Sequence, residues 1–313
     1  MFDLHRLRLL RELKHRGTLA AVASALSYSP SSISQQLSLL ESEAGVPLLE
    51  RVGRGVRLTP QAEVLVAHTE AVLEQLEQAE ADIASSLSEL TGTLRIASFQ
   101  TAALALVPTA LTLLRDTHPS LRIQVTQMER EGALSALLAH DVDVVIDVEY
   151  PGVPSPRPAE LEKEFLGDDS MHLVYPAVTN TTKLQEGLRM LAGYPWVMEP
   201  DGTAARRWAM TVCRGAGFEP DVRYESADLL LHLRLVEQGH AAALLPDLVW
   251  LGRRPTIPLR PVPFGQKTRT LVTAVRRGSS RHPAIQAIRQ ALVTAVDKPS
   301  ETTLLRPPGE LSQ

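Results

Sequence analysis

The stretch from Gln61 to Leu90 contains neither proline nor glycine, and it constrains the chain more than any other feature. Leu65, Thr69, Val72, Leu76, Ala79 and Ile83 follow alternating spacings of four and three, the seam of a coiled coil. A solitary helix of that length with one thin apolar stripe is marginal in water unless something covers the stripe. A second copy of the chain, meeting it through Leu65, Val72, Leu76 and Ile83, is the expected cover; packing on the chain's own remainder is the alternative. Residues 61–91 also hold seven acids and no lysine or arginine. The segment therefore reads as an arm separating two regions of different character, at residues 1–60 and 92–298.

The region before the arm is basic, with eight Lys/Arg against five Asp/Glu, although the whole chain carries a net charge of −4. An electrostatic footprint for phosphates belongs to a domain rather than to a chain. Leucines at helical spacing predict a first helix over 3–15 that Gly17 stops. Thr18 is placed to cap a second helix bearing Leu19, Val22, Ala23 and Leu26. Ser29 caps a third, with Pro30 at the first position, where its missing N–H costs nothing.

Ile33, Leu37 and Leu40 turn one side of that third helix inward and leave Ser31, Ser34, Gln35 and Ser38 outside. A merely solvated face favours Glu and Lys, whereas small hydroxyls and amides suit a helix pressed into a major groove. An ordinary three-helix bundle with a polar surface is the bland alternative. Two short strands around Val52-Gly53-Arg54-Gly55 then describe a hairpin wing, with Arg51 and Arg57 on its strands and Arg54 at its tip.

These residues carry a resemblance. Gly17 through Leu26, Ser34-Gln35-Gln36-Leu37-Ser38-Leu39-Leu40-Glu41, Gly45-Val46-Pro47-Leu48-Leu49-Glu50-Arg51 and Leu58-Thr59-Pro60 are similar to the LysR-type transcriptional regulators. The similarity continues to about residue 298. Many members open the recognition helix with glutamine, where this chain has Pro30, and carry a glycine soon after the wing threonine, where it has Ala62. The resemblance implies a winged helix-turn-helix that binds double-stranded DNA at an interrupted palindromic operator. Thr18, Ser29, Ser31, Ser32, Ser34, Gln35, Ser38, Arg51 and Arg54 are the expected contacts. It also implies a homodimer or homotetramer, and RNA polymerase as a partner.

Beyond Gly92 strands and helices alternate, which implies parallel βαβ units. One helix is expected over 102–115, and strands over 121–125, 142–148, 171–175, 195–198, 221–224, 241–245 and 270–275. Two α/β lobes, about 92–160 with 268–298 and about 161–267, would leave a cleft between them; residues 299–313 read as a loose tail. Ligands in such sheets bind beyond the carboxyl ends of strands, against helix N-termini. Ser98, Gln100, Thr101, Gln127, Glu129, Arg130, Asp147 and Thr203 occupy such places. In the resembled family the inducer pocket is assembled from these segments, like that of periplasmic solute-binding proteins. Any one hydroxyl here reads equally well as a helix cap. Arg130 and two helix N-termini favour an anionic effector.

No Gly-x-Ser-x-Gly elbow, Walker loop, His-Glu-x-x-His or cysteine pair is present, so no enzyme, cofactor or metal is expected. The single cysteine, Cys213, forbids an internal disulfide, and as a thiol switch it lacks a resolving partner. With no apolar leader and no long apolar run, the cytoplasm is the expected location and no membrane contact is expected.

Overall fold

A computed structural model describes residues 1–26, 28–53, 55–155, 158–176, 188–250, 254–263 and 267–297. The expected tail at 299–313 and the wing-tip Arg54 lie outside them.

Three helices build the head: α1 (Leu4–Arg16), α2 (Leu19–Leu26) and α3 (Pro30–Ala44). Asp3 caps α1 by accepting the His5 and Arg6 amides, Thr18 accepts the Ala21 amide, and Ser29 accepts the Ser32 amide. Leu9, Leu10, Leu13, Val22, Ile33, Leu37 and Leu40 interlock as the core, as their spacing requires. Antiparallel β1 (Leu49–Val52) and β2 (Gly55–Leu58) form the wing. Gly53, with φ 60°, supplies the left-handed turn residue that a two-residue hairpin demands.

The arm, α4 (Pro60–Ser85), is shorter than its composition suggests. Ser85 and Ser86 hydroxyls donate back to the Ala81 and Ile83 carbonyls, a local alternative to the helical ladder that ends it before Leu90. Nor is its apolar surface a single stripe. Ala62, Val66, Thr69 and Leu73 are buried within the chain, and Leu65 packs on the head's core. Val72, Leu76 and Ile83 remain exposed. Of the expected seam, then, Thr69 belongs to the inward face and Leu65 is partly covered, because α1 lies against the first turns of α4.

The remaining elements are β3 (Gly92–Ser98), α5 (Gln100–Ala105), α6 (Val107–Thr117), β4 (Leu121–Gln127), α7 (Arg130–Leu138), β5 (Val144–Glu149) and β6 (Leu161–Val174). There follow β7 (Pro195–Met198), α8 (Ala204–Gly215), β8 (Asp221–Glu225), α9 (Leu229–Glu237), β9 (Ala243–Pro246), β10 (Arg260–Pro261), β11 (Thr268–Arg276) and α10 (Pro283–Asp297). The single helix expected over 102–115 is two, because Pro108 cannot donate into the preceding turn.

Strands run in the order β10-β6-β11-β5-β3-β4, with β9 also on β6. β3 is parallel to β4 and β5, whereas β11 is antiparallel to both β5 and β6. The expected strand over 171–175 is only the far end of β6, which starts at Leu161 and passes from one lobe to the other beside β11. The lobes are therefore joined by a continuous curled sheet, while β7 and β8 form a separate parallel pair. One apolar core gathers Ile96, Leu106, Ile146 and Leu292; the other gathers Met171, Trp196, Trp208 and Leu244.

Guanidinium groups moor the head to the first lobe. Arg11 donates to the Leu138 carbonyl at 2.5 Å, and Arg16 grips Asp141 at 3.0 Å. From β11, Arg276 bonds the carbonyls of Leu137 at 3.0 Å and Val142 at 2.6 Å and pairs with Glu77 of α4. Burial and then the charges of Arg276 and Arg11 push the neighbouring His140 down to about 2, so that imidazole is neutral. At Gly278 an added Cβ would meet the Glu74 carbonyl oxygen at 2.5 Å, so only glycine lets the arm lie this close.

Candidate functional site

Two surfaces concentrate the residues singled out by sequence. On α3, Ser31, Ser34, Gln35 and Ser38 are exposed, while Ser32 is half-buried. The Thr18 and Ser29 oxygens already accept cap hydrogen bonds, and Ser29 also shares a 2.9 Å bond with the Ser31 hydroxyl. On the wing Arg51 is exposed and without an ion pair among the described residues, whereas Arg57 is held by Glu50 at 2.7 Å. The surface thus offers hydroxyls, an amide and a free guanidinium on neighbouring elements, the donor set that DNA backbones and base edges accept.

The second surface is a cleft between the lobes, enclosing about 710 Å³ with its open mouth included. Of the residues expected there, Gln100, Thr101, Glu129, Arg130, Asp147 and Thr203 line it. Ser98 and Gln127 do not. The strand's alternation turns Ser98 into the core, where it is fully buried and donates to the Phe99 carbonyl at 3.1 Å. Gln127 is exposed at the end of the edge strand β4, outside the cleft.

At the floor stands Arg269, a residue sequence reasoning missed. Its fully buried guanidinium pairs with Asp169 at 2.7 Å and donates to the Tyr150 hydroxyl at 3.0 Å and to Thr101 Oγ1 at 3.0 Å. Asp169 also accepts the Leu248 amide at 3.1 Å. Burial pushes the Tyr150 phenol up to about 12, so it stays protonated. Arg130 is likewise engaged, with the Val148 carbonyl at 3.0 Å, Asp147 at 3.3 Å and the Ser155 hydroxyl at 2.5 Å. Lys163 bonds Asp147 at 3.0 Å and Glu149 at 2.7 Å.

The lobes are clasped above this floor. The Gln100 amide donates to Asp228 at 2.8 Å and accepts the Leu229 amide at 3.0 Å. Thr203 caps α8 by accepting the Arg206 amide at 3.1 Å and donates to the Pro200 carbonyl at 2.9 Å. Tyr150, Glu199, Leu229 and Arg269 line the cleft without having been foreseen. Such a concave, mostly apolar cavity with a few placed polar groups is built to hold a small molecule.

Comparison with known proteins assigns both regions of the chain to known domains. Residues 4–63 match the bacterial regulatory helix-turn-helix family of the lysR type, and residues 87–297 match the LysR substrate binding domain. The chain is 26% identical to the transcriptional dual regulator GltC of Bacillus subtilis, over 86% of this chain and 89% of that protein. Full-length OxyR from Pseudomonas aeruginosa, solved as a cysteine-to-aspartate variant, shares its fold with a TM-score of 0.66 at 22% identity, covering 93% of this chain and 95% of that one. Full-length CbnR, solved in complex with its target DNA, superposes with a TM-score of 0.51 at 20% identity, over 93% of this chain and 100% of that one. No described helix is long and apolar enough to cross a membrane. The chain belongs to the LysR family: it is a transcriptional regulator and not an enzyme, with a helix-turn-helix DNA-binding domain ahead of an effector-binding domain.

Proposed function

We propose that α3 enters the major groove of an interrupted palindromic operator, with Ser34, Gln35 and Ser38 at base edges. Thr18, Ser29, Ser31, Ser32, Arg51 and Arg54 hold the flanking phosphates. The carrying observation is the exposed serine–glutamine face of α3, which bears no charge over the positions where a solvated helix would carry one. A homodimer formed along Val72, Leu76 and Ile83 presents two such heads. A small molecule in the cleft, touching Gln100, Thr101, Glu129, Asp147 and Thr203, alters how the bound regulator engages RNA polymerase in the cytoplasm. The functional boundaries follow residues 1–60, 61–91 and 92–298.

Replacing Ser34 and Gln35 together by alanine will weaken operator binding by about 1–3 kcal/mol per lost base contact, with the fold intact. Affinity for random DNA should hardly change, since phosphate contacts carry it. Gel-shift titrations on operator and random fragments separate the two, and unchanged operator affinity would remove α3 from base readout.

A redox reading finds no support in the thiol. Cys213 is fully buried, and burial raises its pKa to about 12, the opposite of a reactive sensor.

A further inference from the structure

The shape of the cleft leaves its charge unexplained. Glu129, Glu131, Asp147 and Glu199 line it against only Arg130 and Arg269. Both guanidinium groups are already occupied, Arg269 by Asp169 and Arg130 by Asp147 and the Val148 carbonyl. Asp147 is further neutralised by Lys163. What remains is Glu129, Glu131 and Glu199, whose side chains have no hydrogen bond or ion pair among the described residues.

These three come from opposite sides. Glu129 and Glu131 sit at the start of α7 in the first lobe, while Glu199 follows β7 in the second. The Glu199 carboxyl is closely surrounded by protein. Burial first, and then repulsion from Glu129 and Glu131, push it up to about 7 against the pull of Arg269. Burial, followed by Glu131, raises Glu129 as well. Like charges on two lobes resist closure, and a group of opposite sign between them removes the resistance. Such a group binds the closed state better than the open one, which is what shifts an equilibrium.

We propose that the effector presents a protonated amine to Glu199, Glu129 and Glu131, so that both lobes attract it at once. The proposal rests on the cleft being the effector site. Phe99, Met128, Ile146, Val148, Ala204 and Leu229 offer the amine a short apolar body to rest against. The anion expected from Arg130 loses its main partner, because that guanidinium is turned to Asp147, Val148 and Ser155.

The test uses the full-length protein and two size-matched probes, 1,4-diaminobutane and succinate, in calorimetry at pH 6 and pH 8. The charges around Glu199 are Glu129 and Glu131 of α7, and Arg269 of β11 backed by Asp169. Close by are Arg206 of α8, which bonds the Glu199 carbonyl and pairs with Glu225, and His232 of α9, whose pKa burial lowers. Glu199 ionises as pH rises through about 7, so diamine affinity should tighten roughly tenfold from pH 6 to pH 8. Glu199→Gln should weaken it about tenfold at pH 8 and flatten that dependence. Equal diamine affinity in Glu199→Gln, or failure of a whole panel of small amines to bind, overturns the inference. Ala205→Trp, which fills the cleft, separates this from the site itself. If succinate binds the parent and is lost in Ala205→Trp, the cleft stands and the cation does not. If ligands bind Ala205→Trp unchanged, the effector site lies elsewhere.

Discussion

Replacing Arg269 with methionine will destabilise the effector domain by about 3–5 kcal/mol, because it strands a buried carboxylate. Asp169 is 3% exposed and loses its guanidinium partner at 2.7 Å, while the Tyr150 hydroxyl and Thr101 Oγ1 each lose a donor. Urea titration followed by tryptophan fluorescence reads this domain alone, since Trp196, Trp208 and Trp250 all lie within it. The double variant Arg269→Met, Asp169→Leu should recover most of the loss, because a buried ion pair exchanged for apolar groups of similar volume is often close to neutral. A single variant within about 1 kcal/mol of the parent would show that the pair does not hold the cleft floor. Effector response should vanish in both variants, since the donor to Thr101 is gone from each.

Introducing lysine at both Leu76 and Ile83 will convert the protein to monomers and reduce operator affinity by about 10²–10⁴, the factor that linking two half-site contacts supplies. Leu76 is 36% and Ile83 65% exposed in the single chain, so the charges cost the isolated fold little. Buried against a second copy, each would be an unpaired charge. Sedimentation velocity should give a species of one 34.2 kDa chain. Leu73→Lys is the contrast: that side chain is buried within the chain, so the same change should unfold the arm instead of separating subunits. A double variant that stays dimeric would move the interface away from α4.

The head was legible because its signals are local. Thr18 and Ser29 each cap the helix that follows, and leucine spacing fixes which sides face inward. The arm's period was legible too, but not its two neighbours: Thr69 and Val72 are both seam positions by spacing, and only the placement of α1 decides which is covered. The front half of β6, with Glu162, Lys163 and Glu164, carries too much charge to read as a strand. It is one because β11 pairs along its whole length. Arg269 was invisible for a similar reason. An arginine beside Thr270-Leu271-Val272 resembles a strand's solvated end, and only the fold brings Asp169 to it across the sheet. At the cleft, which residue of a strand-to-helix turn points inward depends on a rotation of one position, so Thr101 lines it and Ser98 does not.

Helix α7 has nine residues and spans about 13 Å. Its first residue is Arg130, at the cleft; its last is Leu138, whose carbonyl Arg11 of the head grasps. On the proposed function, so short a rod links the end that faces the effector to the end held by the DNA reader. A tilt of about 5° at the cleft swings the far end by about 1 Å, enough to carry a hydrogen bond past its working range. Leverage of this kind runs in both directions. If operator DNA repositions the head while the cleft holds the proposed effector, linkage requires that the effector's affinity change with it.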